Sequence, residues 1–189
     1  MNKTTRWGII GPGKIAEKFA RALSLVPGAE LYGVASRQES KARDFAERHG
    51  AIKWFNRYEA LIADTTIDVV YIATPHTFHY KYAMQCLQQQ KPVLCEKPMS
   101  VNYESTLQLV KTAREQHTFL MEAMWTRFLP TIKKTIELVN EGAIGQVKWI
   151  HADFGFALAF DAGSRIYDKQ LGGGSLLDVG VYPLFLVHH

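Results

Sequence analysis

The chain has 189 residues, of which 47% are hydrophobic, and its formal net charge at pH 7 is +4. This length and apolar content allow one large or two small domains with a full hydrophobic core. The positive charge is spread along the sequence, and aromatic residues are not interleaved with Lys and Arg as on nucleic-acid-binding surfaces. We therefore expect no nucleic-acid partner.

Targeting signals and cysteines give a further set of expectations. The amino terminus is polar and leads directly into a strand-like segment, so we predict no signal peptide. We identify no apolar run of transmembrane length and expect no membrane partner. Cys86 and Cys95 do not form a C-x-x-C pair and are predicted to be buried, reduced thiols, which favours a cytoplasmic protein.

Strand-like and helix-like segments alternate along most of the chain. Strands are predicted near 5–10, 30–36, 53–55, 68–73, 92–95 and 118–123. Helices are predicted near 14–25, 39–49, 57–63, 76–90, 103–116 and 128–140. This alternation is typical of right-handed β-α-β units, so it predicts an α/β fold with a doubly wound, mostly parallel sheet.

The pattern changes after Gly142. Residues 146–158 are rich in aromatic and β-branched side chains and are predicted to begin a different, open sheet. We therefore predict a dinucleotide-binding domain at 1–122 and a second α/β domain at 123–189. Because the chain stops within an apolar stretch, we expect this second domain to be incomplete, as in a truncated chain.

The first strand runs into a glycine loop, Gly11–Ala16, with the pattern G-x-G-x-x-A. In dinucleotide-binding proteins the first glycine makes a tight turn, and the second lets the backbone approach a pyrophosphate. The following helix presents free N–H groups and a positive dipole end to the phosphates. The predicted cofactor contacts of this loop are Gly11, Pro12, Gly13, Lys14 and Ile15.

The end of the second strand indicates which dinucleotide is bound. NAD enzymes usually carry Asp or Glu here to bind the ribose hydroxyls. This chain has Ser36 and Arg37, with Lys41 one helical turn further on. A hydroxyl and a guanidinium can bind a 2′-phosphate through charge-assisted hydrogen bonds. NADP is therefore the predicted cofactor, with NAD possible, and surface cations are the alternative interpretation.

The fourth predicted strand is followed by Thr74-Pro75-His76-x-x-His79. Thr74 is predicted to cap a helix, with Pro75 in its first turn. Both histidines would then lie over the cofactor cleft and contact cofactor or substrate. Capping or packing roles remain open, and no metal site is predicted because a third ligand with suitable spacing is missing.

The fifth predicted strand ends in Glu96-Lys97-Pro98. Ligands of parallel sheets bind beyond the carboxyl ends of the strands, so Glu96 and Lys97 are placed to contact cofactor or substrate. Oxidation of an alcohol requires a base for the hydroxyl proton, and Lys97 can take that role while stabilising a developing alkoxide. A strand-end ion pair is the alternative.

A second candidate proton-transfer group is Tyr182. Asp178 precedes it by one helical turn, so on a regular helix both would face the same side. The glycines at 172–174 would let this helix begin close to a ligand, although a flexible loop and a surface acid are the alternative. Pro183 predicts a kink near Tyr182 that preserves the pair.

Four motifs together resemble the glucose–fructose oxidoreductase / inositol dehydrogenase / MocA family. They are the glycine loop, the Thr-Pro-His-x-x-His segment, Glu-Lys-Pro, and the segment 172–182 with the pattern G-G-G-x-x-x-D-x-G-x-Y. The resemblance implies an amino-terminal Rossmann domain, a carboxy-terminal α/β domain with a large open sheet, and a homodimer in full-length members. It also implies hydride transfer between a nicotinamide and a small alcohol or carbonyl substrate.

Residues 121–128 resemble more narrowly the branch of this family that contains trans-1,2-dihydrobenzene-1,2-diol dehydrogenases, which uses NADP. This resemblance adds Trp125 and Arg127 to the candidate cofactor-binding residues. Trp125 would close over the nicotinamide, and Arg127 would bind an anionic group.

Two functions of different classes stay open at this point. One is an NADP-dependent dehydrogenase acting on a vicinal diol or sugar-like alcohol. The other is a non-catalytic NADP-binding sensor, or an inactive fragment of such an enzyme, because one fold serves many functions. The presence of Lys97, Asp178 and Tyr182 favours the enzyme, since a sensor has no need of proton-transfer groups.

Overall fold

The computed structural model describes residues 4–188. The chain divides into two compact units, residues 1–122 and residues 123–189. We call them the N-terminal and the C-terminal domain.

The N-terminal domain is built on a six-stranded sheet. Its strands are β1 (Thr5–Ile10), β2 (Ala29–Ala35), β3 (Lys53–Phe55), β4 (Val69–Ile72), β5 (Val93–Glu96) and β6 (Leu120–Ala123). They lie in the order β3-β2-β1-β4-β5-β6, and the pairs around β1, β2 and β4 are parallel. The chain thus winds outward from β1 in both directions, which confirms the predicted doubly wound Rossmann fold.

Helices connect successive strands and cover the sheet. They are α1 (Lys14–Leu23), α2 (Glu39–His49), α3 (Tyr58–Ala63), α4 (His79–Gln88) and α5 (Tyr103–Glu115). Glu17 of α1 joins α2 through Arg48 and His49, each at 2.6 Å. Helix α4 instead packs between α3 and α5. The helices therefore form two groups, as right-handed crossovers in opposite directions along the sheet require.

The core lies under α3, α4 and α5. Strand β4 is buried along its whole length, which explains why its sequence is continuously apolar instead of alternating. The largest fully buried side chains of this core include Ile10, Leu61, Ile62, Ile67, Ile72, Leu87 and Leu109. Cys86 and Cys95 are buried free thiols, as predicted. This packing fixes the strands whose carboxyl ends carry the candidate site.

The C-terminal domain contains helices and irregular segments. A 3-10 turn at Trp125–Phe128 leads into α6 (Pro130–Asn140), and a π-helical turn at Leu176–Gly180 leads into α7 (Val181–His188). The strand predicted within 146–158 is wrong: these residues form no strand, and most are exposed. A strand needs a neighbour for its backbone hydrogen bonds, and residues 124–188 contain no other strand to supply one.

One segment of this domain corrects the expectation about apolar length. Lys169–His188 spans 20 residues, and an 18-residue window within it has a mean hydropathy of 1.2, which is long and apolar enough to cross a membrane by length and composition. These criteria are weak evidence, because the core helix of a water-soluble protein passes them as well. Here the segment is also divided into a 3-10 turn, a π-helical turn and α7.

Candidate functional site

The glycine loop follows β1 at the carboxyl edge of the sheet. Gly11 has a φ of +87°, and a Cβ atom added there would lie 3.0 Å from the backbone nitrogen of Thr74. Its own N–H donates to the carbonyl of Ala35 at the end of β2 (3.1 Å). Only glycine fits this turn, because both its conformation and its neighbours exclude a side chain.

The space beyond the loop is open at Gly13. An added Cβ there would meet no protein atom within 4 Å. Gly13 is the N-cap of α1, which has no side-chain cap, and Lys14 and Ile15 are exposed. The first N–H groups of α1 therefore face an open region, as binding of a pyrophosphate requires. These features fit a dinucleotide.

This geometry predicts that a side chain at Gly13 weakens NADPH binding much more than it lowers the free energy of unfolding. In Gly13→Ala, the new methyl group should weaken NADPH binding by about 1–3 kcal/mol, the usual cost of overpacking a close contact. The free energy of unfolding should fall by no more than about 1 kcal/mol, the cost of alanine at an N-cap. Fluorescence titration and urea unfolding measure the two quantities. Gly11→Ala is the control and should lose both stability and binding.

Thr74 lies buried beside this loop, just after β4. Its predicted capping role is wrong: the 3-10 turn His76–Phe78 begins after Pro75 without a side-chain cap. Pro75 itself occupies the N-cap position of this turn, so Thr74 lies one residue too early to cap it. The Oγ1 atom of Thr74 is buried without a hydrogen-bond partner. An unsatisfied hydroxyl next to Gly11 fits a site completed by a polar ligand.

His79 is buried and bridges two segments of backbone. Its Nδ1 atom lies 2.7 Å from the carbonyl oxygen of Pro98, and its Nε2 atom lies 2.8 Å from that of Thr74. Burial lowers the pKa of His79, and the two carbonyls oppose this effect. The ring of the buried His76 is 6.5 Å away. This position fits the packing alternative for His79, which ties the end of β4 to the turn after β5.

That turn carries Lys97 immediately beyond β5. Glu96 Oε2 accepts the backbone N–H of Lys97 at 3.2 Å, and Glu122 Oε1 accepts that of Met99 at 2.7 Å. With His79 at the carbonyl of Pro98, side chains from three elements hold the backbone of the turn. Lys97 is half-buried at the edge of the sheet that bears the glycine loop. Because the backbone of the turn is held, the point from which the Lys97 side chain extends is fixed at this edge of the sheet.

Glu96 is itself held by Tyr71 of β4. The Tyr71 hydroxyl donates to Glu96 Oε1 at 2.5 Å, and its ring stacks on Phe19 at 3.9 Å. Burial raises the pKa of Glu96, while the hydrogen bonds from Tyr71 and from the Lys97 N–H oppose that rise. Tyr71 has no sequence motif and was not predicted.

Removal of the Tyr71 hydroxyl should destabilise the fold in a pH-dependent way. In Tyr71→Phe, the buried Glu96 carboxylate loses a donor, which costs about 1–3 kcal/mol. The pKa of folded Glu96 then rises further above its ordinary value of 4.5. The loss of stability should therefore grow as pH rises through the folded-state pKa, and shrink below 4.5, where both states are protonated.

Urea unfolding between acidic and neutral pH measures this effect. Tyr103→Phe is the control, because that side chain is 72% exposed. Equal losses at both ends of the pH range would contradict the assigned coupling.

The end of β2 carries the residues predicted to select the cofactor. Ser36 is buried, and its Oγ atom accepts the Gln38 N–H at 3.1 Å. Arg37 is exposed, with its Cζ atom 5.4 Å from the centre of the Phe78 ring. Lys41 is exposed on α2. The guanidinium of Arg37 is thus accessible to an anion.

The C-terminal domain brings Trp125 and Tyr182 together. The indole N–H of Trp125 donates to the Tyr182 hydroxyl oxygen at 3.1 Å, and Phe154 packs against the Tyr182 ring at 5.2 Å between centroids. Asp178 lies 3.6 Å from Arg165. Arg127 is exposed in the same 3-10 turn as Trp125. Neither Phe154 nor Arg165 has a motif that predicts its place here.

The helix that carries Asp178 differs from the regular helix predicted. Residues 176–180 form a π-helical turn, in which residues four apart no longer lie directly above one another. Pro183 lacks the N–H that an α-helix would use at this point, which favours such a turn. The chain is therefore irregular just before Pro183, and the one-turn spacing of Asp178 and Tyr182 does not by itself align them.

Of the glycines before this helix, Gly173 is packed closely against backbone atoms. An added Cβ at Gly173 would lie 2.7 Å from the carbonyl oxygens of Ile166 and Asp168. The N–H groups of Gly173 and Gly174 donate to these same carbonyls at 2.8 Å. Gly173 therefore allows close packing against the backbone of this chain, whereas the sequence predicted close packing against a ligand. Between residues 4 and 188 there is no cluster of three potential metal ligands.

Comparison with known proteins defines the class of this chain. Residues 5–124 match a family model described as an oxidoreductase family with an NAD-binding Rossmann fold. Residues 132–189 match one described as the GFO/IDH/MocA C-terminal domain. The fold and the glycine loop are thus those of the NAD-binding Rossmann domain of an oxidoreductase family. The chain belongs to the GFO/IDH/MocA family, as its motifs predicted.

Relatives and solved structures give the same family. The chain is 41% identical over 180 residues to trans-1,2-dihydrobenzene-1,2-diol dehydrogenase of Xenopus tropicalis, covering 94% of this chain and 54% of that protein. The Homo sapiens protein of the same name is 38% identical over 179 residues, covering 94% of this chain and 53% of that protein. The chain thus spans about half the length of these relatives.

Among solved structures, the 3-ketoreductase KijD10 from Actinomadura kijaniata, crystallised with NADP and TDP-benzene, superposes with a TM-score of 0.84. It is 30% identical, and the match covers 96% of this chain and 56% of that one. An NAD-binding protein from Listeria innocua gives a TM-score of 0.80 at 27% identity, covering 98% of this chain and 54% of that one.

Proposed function

We propose that the protein is an NADP-dependent oxidoreductase that transfers hydride between the nicotinamide and a carbinol carbon of a vicinal-diol or sugar-like substrate. The observation that carries this proposal is the arrangement at one edge of the N-terminal sheet. There the glycine loop after β1 and the turn bearing Lys97 after β5 lie beyond carboxyl ends of parallel strands. The relatives named as a diol dehydrogenase and as a 3-ketoreductase support the substrate class.

In this proposal, bound NADP supplies the hydride acceptor, and the protein positions the alcohol and moves its proton. Lys97 accepts the hydroxyl proton as hydride leaves the carbinol carbon, or, when Tyr182 takes that proton, the Lys97 ammonium stabilises the alkoxide formed before hydride leaves. Tyr182 is the second proton-transfer group, and Asp178, which lies 3.6 Å from Arg165, is the third catalytic candidate. The hydrogen bond from the Trp125 indole to the Tyr182 oxygen supports this role, because it fixes the orientation of the phenol hydroxyl.

The preference for NADP rests on the end of β2. Ser36, Arg37 and Lys41 stand where NAD enzymes usually carry an acid. The exposed Arg37 guanidinium can pair with the two charges of a 2′-phosphate, whereas a carboxylate would repel them. The structural relative crystallised with NADP supports the same assignment.

Parallel titrations of NADPH and NADH against the protein and its Arg37→Ala variant test this assignment. Loss of a charge-assisted phosphate contact costs about 1.5–3 kcal/mol, so NADPH should bind roughly tenfold to a hundredfold more weakly. NADH has no 2′-phosphate and should bind with nearly unchanged affinity. Equal weakening of both cofactors would contradict the NADP assignment.

A turnover assay distinguishes an NADP-dependent dehydrogenase from a non-catalytic NADP-binding sensor. The assay follows NADPH formation from NADP and trans-1,2-dihydrobenzene-1,2-diol, with a simple sugar as a second substrate. The proposal requires NADP reduction with at least one compound of these two classes. Tight NADPH binding without turnover of either class would favour a non-catalytic NADP-binding protein.

A further inference from the structure

Arg37 is held by aromatic residues from two other elements. Its guanidinium lies over the ring of Phe78, with 5.4 Å between Cζ and the ring centre. Arg37 also acts on the hydroxyl of Tyr58, because its charge opposes the rise in the pKa of Tyr58 that burial causes, so the two groups are neighbours. The sequence motif at the end of β2 predicts phosphate binding by Arg37, and no motif predicts a role for Tyr58 or Phe78.

Tyr58 provides a rigid support. It opens α3, its side chain is buried, and its ring packs edge-on against Tyr82 at 4.7 Å between centroids. Because a guanidinium only donates hydrogen bonds, it can bind the phenol of Tyr58 only through the lone pairs of the phenol oxygen. Burial raises the pKa of Tyr58, so the phenol is neutral at pH 7 and its oxygen remains an acceptor dipole.

Phe78 directs the guanidinium toward the glycine loop. It is partly buried and packs on the core, so its ring presents a fixed face. Arg37 follows β2 and Phe78 lies beyond β4, and β1 lies between these two strands in the sheet. An Arg37 side chain that reaches Phe78 therefore points across the end of β1, where the loop with Gly13 lies.

We propose that Tyr58 and Phe78 are positioning residues that hold Arg37 for the 2′-phosphate of NADP and thereby set the preference for NADP over NAD. This inference rests on the proposed NADP binding. A free arginine side chain loses rotamer freedom when it engages a phosphate. A guanidinium already fixed by a ring face and a phenol oxygen pays part of that cost before binding, which strengthens the phosphate contact. Arg37 stays exposed, so its remaining N–H groups face solvent and can bind an anion.

The test compares two conservative variants by their affinities for both cofactors. Tyr58→Phe removes only the hydroxyl, and Phe78→Leu removes the ring face while keeping an apolar side chain. Each should raise the Kd of NADPH about threefold to tenfold, the range expected for one lost hydrogen bond or cation–π contact. The Kd of NADH should stay within about twofold, because NADH makes no contact that needs this arginine.

Tyr32→Phe is the matched control for Tyr58→Phe. Both tyrosines have a relative exposure of 8%, but Tyr32 has Lys53 as a neighbour instead of Arg37, with 5.4 Å between Nζ and the ring centre. This variant should leave the ratio of the two Kd values unchanged. Circular dichroism and the NADH titration together show whether each variant keeps its fold.

The outcomes separate this inference from the cofactor assignment. A changed NADPH/NADH ratio in Arg37→Ala, together with unchanged ratios in Tyr58→Phe and Phe78→Leu, would overturn the positioning role and leave NADP binding intact. An unchanged ratio in Arg37→Ala itself would overturn the NADP assignment. Equal weakening of both cofactors in Tyr58→Phe or Phe78→Leu would show a purely structural role and also overturn the inference. As a positive check, Phe78→Trp should restore the ratio lost in Phe78→Leu, since tryptophan offers the strongest ring face for a cation.

Discussion

Replacement of Lys97 by methionine is expected to lower turnover by at least about 10³-fold. The change removes the side-chain amine, which acts either as the proton-transfer group, worth roughly 10²–10⁴-fold, or as the cation that stabilises the alkoxide. Methionine keeps the length and most of the apolar stem of lysine. The backbone of the turn should be unaffected, because Glu96, His79 and Glu122 hold it through main-chain atoms.

The measurement is single-turnover NADP reduction together with NADPH titration. The proposal requires a large loss of rate with NADPH affinity unchanged within about threefold, because Lys97 acts on the alcohol and not on the nucleotide. Lys111→Met, an exposed lysine on α5, is the matched control and should keep full activity. If turnover in Lys97→Met stays within about tenfold, Lys97 is structural and proton transfer must fall to Tyr182.

Much of the N-terminal domain follows from local sequence. The apolar run at β4 indicates a strand buried on both faces, and the glycine loop requires a strand before it and a helix after it. Both signals act over a few residues, so they predict the element and its place in the fold together. The end of β2 is predicted for the same reason, since Ser36 and Arg37 directly follow a recognisable strand.

The contacts that hold the Lys97 turn could not be predicted. The bond from Tyr71 to Glu96 joins residues 25 apart, and that from His79 to Pro98 joins residues 19 apart. Glu122 approaches Met99 from β6, 23 residues further on. Such pairs leave no periodic trace in the sequence, because they depend on which strands become neighbours. The motif Glu-Lys-Pro located the turn and gave no information on what fixes it.

In the C-terminal domain, two sequence patterns predict structure that the chain does not adopt. Residues 146–158 have the composition of a strand, but composition records only a preference, and a strand forms when a neighbour pairs with it. Likewise, the spacing of Asp178 and Tyr182 predicts a shared face only on a regular α-helix. Pro183 predicts a kink in this helix. The form that the irregularity takes, a π-helical turn at 176–180, depends on backbone detail that residue spacing does not encode.

Replacement of Tyr182 by phenylalanine is expected to lower turnover by roughly 10²-fold, the lower end of the range for a general acid or base. The ring packing against Trp125 and Phe154 should persist, because phenylalanine keeps the aromatic body. The lost hydroxyl also deprives the Trp125 indole of its 3.1 Å acceptor. That site is exposed to water, so the unfolding free energy should change by less than about 1 kcal/mol.

The pH dependence distinguishes proton transfer from positioning at Tyr182. If the phenol moves the proton, Tyr182→Phe should remove one limb of the pH–rate profile of kcat, while KM for the alcohol changes little. A role in substrate orientation would instead raise KM and leave the shape of the profile intact. Tyr167→Phe serves as the control, since its hydroxyl makes only a 3.4 Å contact with the carbonyl of Leu158 within the same domain. Wild-type kcat and an unchanged profile in Tyr182→Phe would exclude Tyr182 from the chemistry and leave Lys97 as the sole candidate for proton transfer.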